Sequence, residues 1–304
     1  MITLLYKSRN KPSELTILEH LQRRMQLSNN DQQSYNSQKK GYEGELLFDS
    51  LTEQLKCNCL VLNDLLLNIN NQHFQIDSLL IFKHSIYLFE VKNYSRDYYY
   101  TEEKFLMKDQ SEITNPLIQL QRAESLLRQL LLKLNFSIPI QSYVIFINPE
   151  FMLYLAPPDK PFIFPSQLNR FLKNLNSDQT QIVDSHRKLA KDLASLHILE
   201  NPYPHLPSYN YQHLRKGIHC SACDSFAITL IGMKCVCSLC GKQEHIDKAV
   251  VRIVEEFKLL FPNEKITTGK IHEWCMMILS KKSIQRILKK NFNTVDAHRW
   301  VYYE

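Results

Sequence analysis

Apolar positions along the chain switch between two periods, and the switches divide it. Helical spacing over about Leu15–Leu27 gives way to residues 28–40 (SNNDQQSYNSQKK), a polar run without periodicity that reads as a loop. A second helix is expected from Lys39 or Lys40. At 100° per residue Gly41, Gly44, Leu47, Phe48, Leu51 and Leu55 share one face, and the two glycines would let it approach a sheet closely. Glu45 lies at the margin of that stripe, whereas Glu43 points to solvent. Two β-branched and aromatic runs follow, His73–Phe82 and Ile86–Asn93, separated by Lys83-His84-Ser85; together they predict an antiparallel hairpin. Asn115 caps and Pro116 opens a long helix, after which Tyr143–Ile147 reads as a further strand.

The three prolines of NPYPHLPSY (201–209) resist regular structure and mark a linker. Beyond a cysteine-rich patch lies a helical tail, in which Ile246, Val250, Ile253, Val254, Phe257 and Leu260 form one apolar stripe. Thr267 or Thr268 caps a short helix through Trp274, and Ser280 caps another from Lys281 to about Lys290. The expected organisation is an N-terminal helical segment and loop (1–40), an α/β domain with a mixed sheet flanked by helices (41–200), a linker (201–218), a cysteine module (219–243) and a helix-turn-helix-like domain (244–304).

Side chains alternate across a strand, so Glu90 and Lys92 share a face with Ile86 and Leu88, and Asp77 shares one with Gln75, Leu79 and Ile81. For these polar groups to converge, residue numbers paired across the hairpin must sum to an odd value. Sum 169 places Asp77 opposite Lys92 and Leu79 opposite Glu90, and it requires a two- or four-residue loop. A three-residue turn at 83–85 gives 168 and puts Asp77 on the wrong face.

Two carboxylates about 4 Å apart repel by about 4 kcal/mol at an effective dielectric near 20. A hard divalent cation such as Mg²⁺ relieves that repulsion, acidifies a bound water and neutralises charge building on a phosphodiester oxygen. Lys92 then orients the water or stabilises the developing charge, and Glu45 completes the metal shell through water.

Four stretches carry a resemblance to a known family: Gly41-Tyr42-Glu43-Gly44-Glu45, Phe74-Gln75-Ile76-Asp77, Glu90-Val91-Lys92-Asn93 and Asn115-Pro116-Leu117-Ile118-Gln119. In this order, over roughly 41–150, they resemble the nuclease-related domain (NERD) family of the PD-(D/E)xK nuclease superfamily. Ile76 stands where the superfamily's naming proline would be, as is usual in the nuclease-related branch. The resemblance implies a restriction-endonuclease-like core and Mg²⁺-dependent hydrolysis of DNA. It assigns Asp77 and Glu90 as metal-binding acids, Lys92 as the catalytic lysine and Glu45 as the helix acid. Because a fold does not fix a function, the alternative is a DNA-binding or regulatory protein whose nuclease-like core does not cut.

Five of the eight cysteines fall between Cys220 and Cys240. Cys220-Ser221-Ala222-Cys223 and Cys237-Ser238-Leu239-Cys240 are two knuckles thirteen residues apart, the ligand pattern of a structural zinc ribbon, with Phe226–Ile231 suited to a strand between them. Cys235 competes with Cys237 as a ligand, and the spacing to Cys240 favours Cys237. A closed Cys₄ shell leaves Zn²⁺ no open position, so its role is to fold the module. Cys57 and Cys59 have no second knuckle and read as small hydrophobes.

In the tail, the last helix buries Ile284, Ile287 and Leu288 and exposes Lys281, Lys282, Gln285, Arg286, Lys289 and Lys290. Such a face suits phosphates in a DNA groove, and residues 293–303, with Arg299, Trp300, Val301 and Tyr302, would form the wing of a winged helix. The net charge of +6 agrees with a nucleic-acid partner without requiring one. Six scattered glycines form neither a Walker loop nor a dinucleotide fingerprint, which argues against a nucleotide cofactor. No run approaches the roughly 20 apolar residues of a membrane span, and clustered Cys-x-x-Cys pairs without a secretion signal point to a reducing cytoplasm.

Overall fold

The computed structural model describes residues 3–297 and 300–304, so Arg299 of the expected wing lies outside the described residues. In chain order the first elements are β1 (Leu4–Lys7), α1 (Ser13–Arg24), α2 (Asn29–Thr52), β2 (Leu60–Ile69), β3 (Gln72–Ile81), β4 (Ile86–Lys92), β5 (Asp97–Thr101), β6 (Lys104–Met107) and β7 (Glu112–Ile113). Then come α3 (Pro116–Lys133), β8 (Ile140–Phe146), β9 (Met152–Tyr154), β10 (Phe162–Ile163), α4 (Pro165–Asn176) and α5 (Asp184–Ser195). The remainder holds β11 (Ile228–Ile231), β12 (Lys234–Cys237), β13 (Gln243–His245), α6 (Ile246–Leu260), α7 (Thr268–Trp274), α8 (Lys281–Asn291), β14 (Thr294–Ala297) and β15 (Trp300–Tyr303). The chain divides into two compact units: residues up to Pro12 with Asn36–Pro204, and Ser13–Tyr35 with His205–Glu304.

The first unit is built on a mixed sheet of order β1-β2-β3-β4-β8-β10. β4 is central and apolar on both faces. Its Ile86 and Leu88 join a core with α3 (Leu120, Leu127) and α5 (Leu189, Leu193). Its Phe89 and Val91 join another with α2 (Phe48) and α4 (Leu168, Leu172). A strand buried on both faces reads as a continuous hydrophobic run, as β4 does. β4 and β8 pair in parallel, with α3 in the crossover between them. Asn115 caps α3 as expected, its side chain accepting from the Leu117 amide at 3.0 Å. A second sheet, β7-β6-β5-β9, sends Tyr98, Tyr100, Phe105 and Leu153 into the first core.

Three local expectations are corrected. Residues 28–40 are not a loop, because α2 begins at Asn29. Ser28 starts it by accepting the Asp31 amide at 3.2 Å and donating to the Asp31 carboxylate at 2.6 Å, a cap that needs no apolar periodicity. On α2 the buried stripe is Gly44, Phe48, Asp49 and Thr52, while Leu47 is exposed. Finally, strict alternation fails in mid-strand: Leu62 and Leu65 of β2 lie in one core, as do Ile76 and Leu79 of β3. Both strands turn over at the same level, because Leu62 pairs with Leu79 and Leu65 with Ile76. Asp64 absorbs the turnover with a left-handed φ of 56°, a conformation Asp tolerates better than most residues. Gln75, on the far side of this turnover from Leu79 and Ile81, is exposed.

In the second unit α1 packs Leu15, Leu18 and Leu21 inward. The expected stripe of α6 is buried throughout, from Ile246 to Leu260. Part of the expected linker belongs to this unit, since Leu214 and Ile218 are buried and the Tyr209 hydroxyl donates to the Leu260 carbonyl. β11, β12 and β13 form a three-stranded ribbon, and β14 pairs with β15 after α8. Thr267 and Ser280 are the N-caps of α7 and α8.

Candidate active site

Asp77, Glu90 and Lys92 come together at the open end of the β3–β4 ladder. The β3–β4 ladder runs from Ile81↔Ile86 to Ser78↔Phe89, so its sum is 167 and Asp77 falls level with Glu90 rather than with Lys92. The odd parity matches the expectation, but the register differs from it by two. Phe82 enters the core, leaving the four-residue connection 82–85 closed by the Phe82 amide on the Ser85 carbonyl at 2.9 Å. Asp77 Oδ2 accepts the Val91 amide at 2.7 Å, which ties it to the strand bearing Glu90 and Lys92. Glu90 Oε1 and Lys92 Nζ are 2.6 Å apart.

Both acids are 8% exposed, and their protonation follows from that. Burial, together with the charge of Asp77, pushes Glu90 up to about 7 despite Lys92. Burial likewise raises Asp77 against the pull of Lys92. For Lys92 burial acts in the opposite sense, but Glu90 and Asp77 prevail and hold the ammonium up at about 12. Lys92 is therefore a fixed cation, suited to orienting a water or countering charge.

Glu45 on α2 lies within reach of one of these acids, and burial and the charge of Asp77 push it up to about 8. Its partner is one that sequence reasoning missed. Arg9 Nη1 lies 2.6 Å from Glu45 Oε2, while Nε and Nη2 donate to Asp49 at 2.9 and 3.1 Å. Nη2 also donates to the backbone carbonyl of Asp77 at 2.6 Å. A short apolar run ahead of Arg9 was the available signal. It could not reveal that β1 adds in parallel to β2, because that pairing joins positions more than fifty residues apart.

Residues 40–147 match the family model of the nuclease-related domain. The matched segment contains Glu45, Asp77, Glu90 and Lys92, and ends one residue after β8. No curated protein and no solved structure matches the chain. Arg9 precedes the matched segment, although its side chain pairs with Glu45 and Asp49 inside it.

Among the described residues, two groups place three or more ligand atoms within 4.8 Å of one another: Cys220, Cys223, Cys237 and Cys240, and His20, His219 and Glu256. The carboxylates of Glu45, Asp77 and Glu90 within the matched segment do not form a third such group. The chemistry of this donor set nevertheless fits a hard cation, since Asp77 and Glu90 are buried carboxylate oxygen donors.

The cysteine group fits Zn²⁺. Cys220 and Cys240 Sγ stand 3.6 Å apart, as do those of Cys223 and Cys237. Tetrahedral ligands at a Zn–S distance of about 2.3 Å would be about 3.8 Å apart. Hydrogen bonding from the Cys240 and Leu239 amides holds the Cys237 thiol below its ordinary value. Cys235 is buried on β12 outside the group, which leaves Cys237 as the fourth sulfur. Cys57 and Cys59 are buried core residues. The histidine group is a charge network rather than an open site, because Arg24 Nε and Nη2 grip Glu256 at 2.7 and 2.8 Å.

On α8, Lys281, Lys282, Gln285, Arg286, Lys289 and Lys290 are exposed as expected. The face does have an acid beside it. Asp247 of α6 lies 3.1 Å from Lys290 and 3.6 Å from Arg286. No helix among the described residues is long and apolar enough to cross a membrane.

Proposed function

We propose that the chain is a divalent-metal-dependent DNA nuclease with a C-terminal nucleic-acid-binding region. The observation that carries this reading is the closeness of Asp77, Glu90 and Lys92, Asp77 accepting the Val91 amide and Lys92 pairing with Glu90 at the end of a buried central strand, within a segment matched to the nuclease-related domain. Asp77 and Glu90 would hold Mg²⁺, which when bound supplies an acidified water and countercharge for the phosphate. Lys92 orients the attacking water and faces the developing negative charge. Glu45 lends a further oxygen from α2.

Zn²⁺ on Cys220, Cys223, Cys237 and Cys240 would fold the ribbon. For the tail we favour a winged helix. Three helices precede a hairpin, and Ile266, between α6 and α7, bridges to Tyr303 of β15, which is the strand order such a domain uses. In that arrangement α8 offers its basic face to DNA phosphates. Purified protein incubated with plasmid DNA and Mg²⁺ should cleave it, and Lys92→Ala should abolish cleavage; equal cleavage by both proteins would overturn the reading.

A second reading, DNA binding without cleavage, draws on one observation. Glu45 and Glu90 are each committed to an internal cation, Arg9 and Lys92 respectively. Salt-sensitive DNA binding without metal-dependent cleavage would favour it.

A further inference from the structure

We propose that Arg9 is a positioning residue of the nuclease site: its guanidinium, delivered by the N-terminal strand, fixes Glu45 beside Asp77. The inference rests on the proposed metal-dependent site and adds to it a residue outside the matched family segment. β1 lies on the edge of the sheet against β2, and its pairing slips between Leu5 and Lys7, redirecting the chain. Lys7 then fastens the segment by donating to the carbonyls of Asn63 and Asp64 at 2.9 and 2.6 Å. Two residues later the Arg9 side chain is 2% exposed.

How the guanidinium is used distinguishes positioning from anchoring. One edge of the fork is occupied by Asp49, which alone would secure β1 to α2. The remaining hydrogen bonds go to Glu45 and to the backbone carbonyl of Asp77, both parts of the site. Without this cation, Glu45 would face Asp77, Asp49 and Asp64 with no fixed partner; each of these acids bears on it in the same repulsive sense. A lysine has no planar fork and cannot reach all these acceptors at once. Arg9 thus sets where the Glu45 carboxylate stands, in the way outer partners orient the groups around a metal.

The test uses the intact, zinc-loaded chain and Mn²⁺ as the probe ion, read by calorimetry for wild type, Arg9→Met, Arg9→Lys, Glu45→Gln and the double variant Arg9→Met/Glu45→Gln. Arg9→Met should weaken Mn²⁺ binding by about tenfold or more, and Arg9→Lys should recover only part of the loss. In the double variant, losing Arg9 should cost nothing beyond the Glu45→Gln loss, because Arg9 acts through Glu45. Additive losses, or an Arg9→Met protein that binds Mn²⁺ like wild type, would overturn the inference. If Arg9→Met does not fold, Asp49→Asn releases the other side of the fork and must show the same dependence on Glu45. An ion whose binding is unaffected by Asp77→Asn lies elsewhere, and the inference then falls. Coupled Mn²⁺ binding in a protein that leaves DNA intact would instead sink the nuclease reading and leave the role of Arg9 standing.

Discussion

Gly44 and Asn93 meet so closely that no side chain fits between them: a Cβ added to Gly44 would stand 2.5 Å from the Cβ of Asn93. Asn93 follows Lys92 directly, and its side-chain amide donates to the Lys40 carbonyl of α2 at 2.8 Å. The helix carrying Glu45 is therefore seated against the end of the strand carrying Glu90 and Lys92. Gly44→Ala should push the two apart, cost about 1–3 kcal/mol of stability, and reduce Mn²⁺ binding and cleavage together. Gly41 has open space where a Cβ would stand, so Gly41→Ala should be neutral or stabilise the helix by up to about 1 kcal/mol. Thermal melts of the two variants check the contrast, and equal effects would refute it.

The buried acids predict a pH dependence with a definite sign. Glu45 and Glu90 are raised from an ordinary value of 4.5 to about 8 and about 7, so between these limits the folded state binds more protons than the unfolded chain. Their contribution is most favourable below the ordinary value and is lost as the pH rises through the raised ones. Without a divalent ion, stability should decline from about pH 5 to about pH 8, and Glu45→Gln or Glu90→Gln should flatten the decline. Mn²⁺ competes with these protons, so the increase in melting temperature it brings should be larger at the alkaline end. A stabilisation by Mn²⁺ that is independent of pH would contradict this account.

Much of this was legible in the sequence because it rests on local rules. The odd sum of the β3–β4 register depends only on the short connection between two strands, and the Asn115, Thr267 and Ser280 caps depend on a hydroxyl or amide a few atoms from the backbone it serves. What escaped was non-local or polar. The register differs by two because Phe82 leaves the ladder for the 82–85 connection while its ring stays in the core. The first turns of α2 were missed because Ser28 and Asp31 begin the helix without an apolar stripe. Arg9 was hidden because edge-strand addition leaves no periodic trace, and the turnover at Asp64 because it occurs in two strands at once.

In the second unit Glu256 links α1 to α6 and to His219, the residue preceding the first cysteine knuckle. Burial alone would raise its carboxyl, yet hydrogen bonds from Arg24, His20 and His219 hold it far below the usual carboxylate range. Arg24 is fully spent, lying over the Trp274 ring at 4.1 Å and donating to the Arg215 carbonyl at 2.6 Å. Removing either charge strands the other, so Arg24→Met or Glu256→Gln should cost about 3–5 kcal/mol. Chemical denaturation should show the loss in the second unit, and a loss smaller than that of an exposed ion pair would refute it.

Chelation should separate the cysteines. Stripping metal, or Cys237→Ser, should unfold the ribbon, whereas Cys235→Ala should retain zinc because Cys235 lies outside the four-sulfur group. Metal content measured on each purified variant checks this; loss of zinc from Cys235→Ala would require a different ligand set.

Asp247 offers a test of the basic helix in which affinity should rise. It neutralises part of the charge of Lys290 and Arg286, while Lys281, Lys282 and Lys289 have no ion pair among the described residues. Asp247→Asn should free two cations for phosphate, tightening DNA binding and steepening the fall of log affinity with log salt. Replacing Lys281, Lys282 or Lys289 with Ala should shift that slope in the opposite direction, by roughly one for each phosphate no longer neutralised. Asp247 also lies in the first turn of α6, where its charge favours the helix, so some stability should be lost as affinity is gained. Fluorescence anisotropy across a salt series measures affinity and slope together, and a thermal melt measures the stability. An Asp247→Asn protein that binds DNA no better than wild type, while the lysine variants also leave the slope unchanged, would remove α8 from the interface.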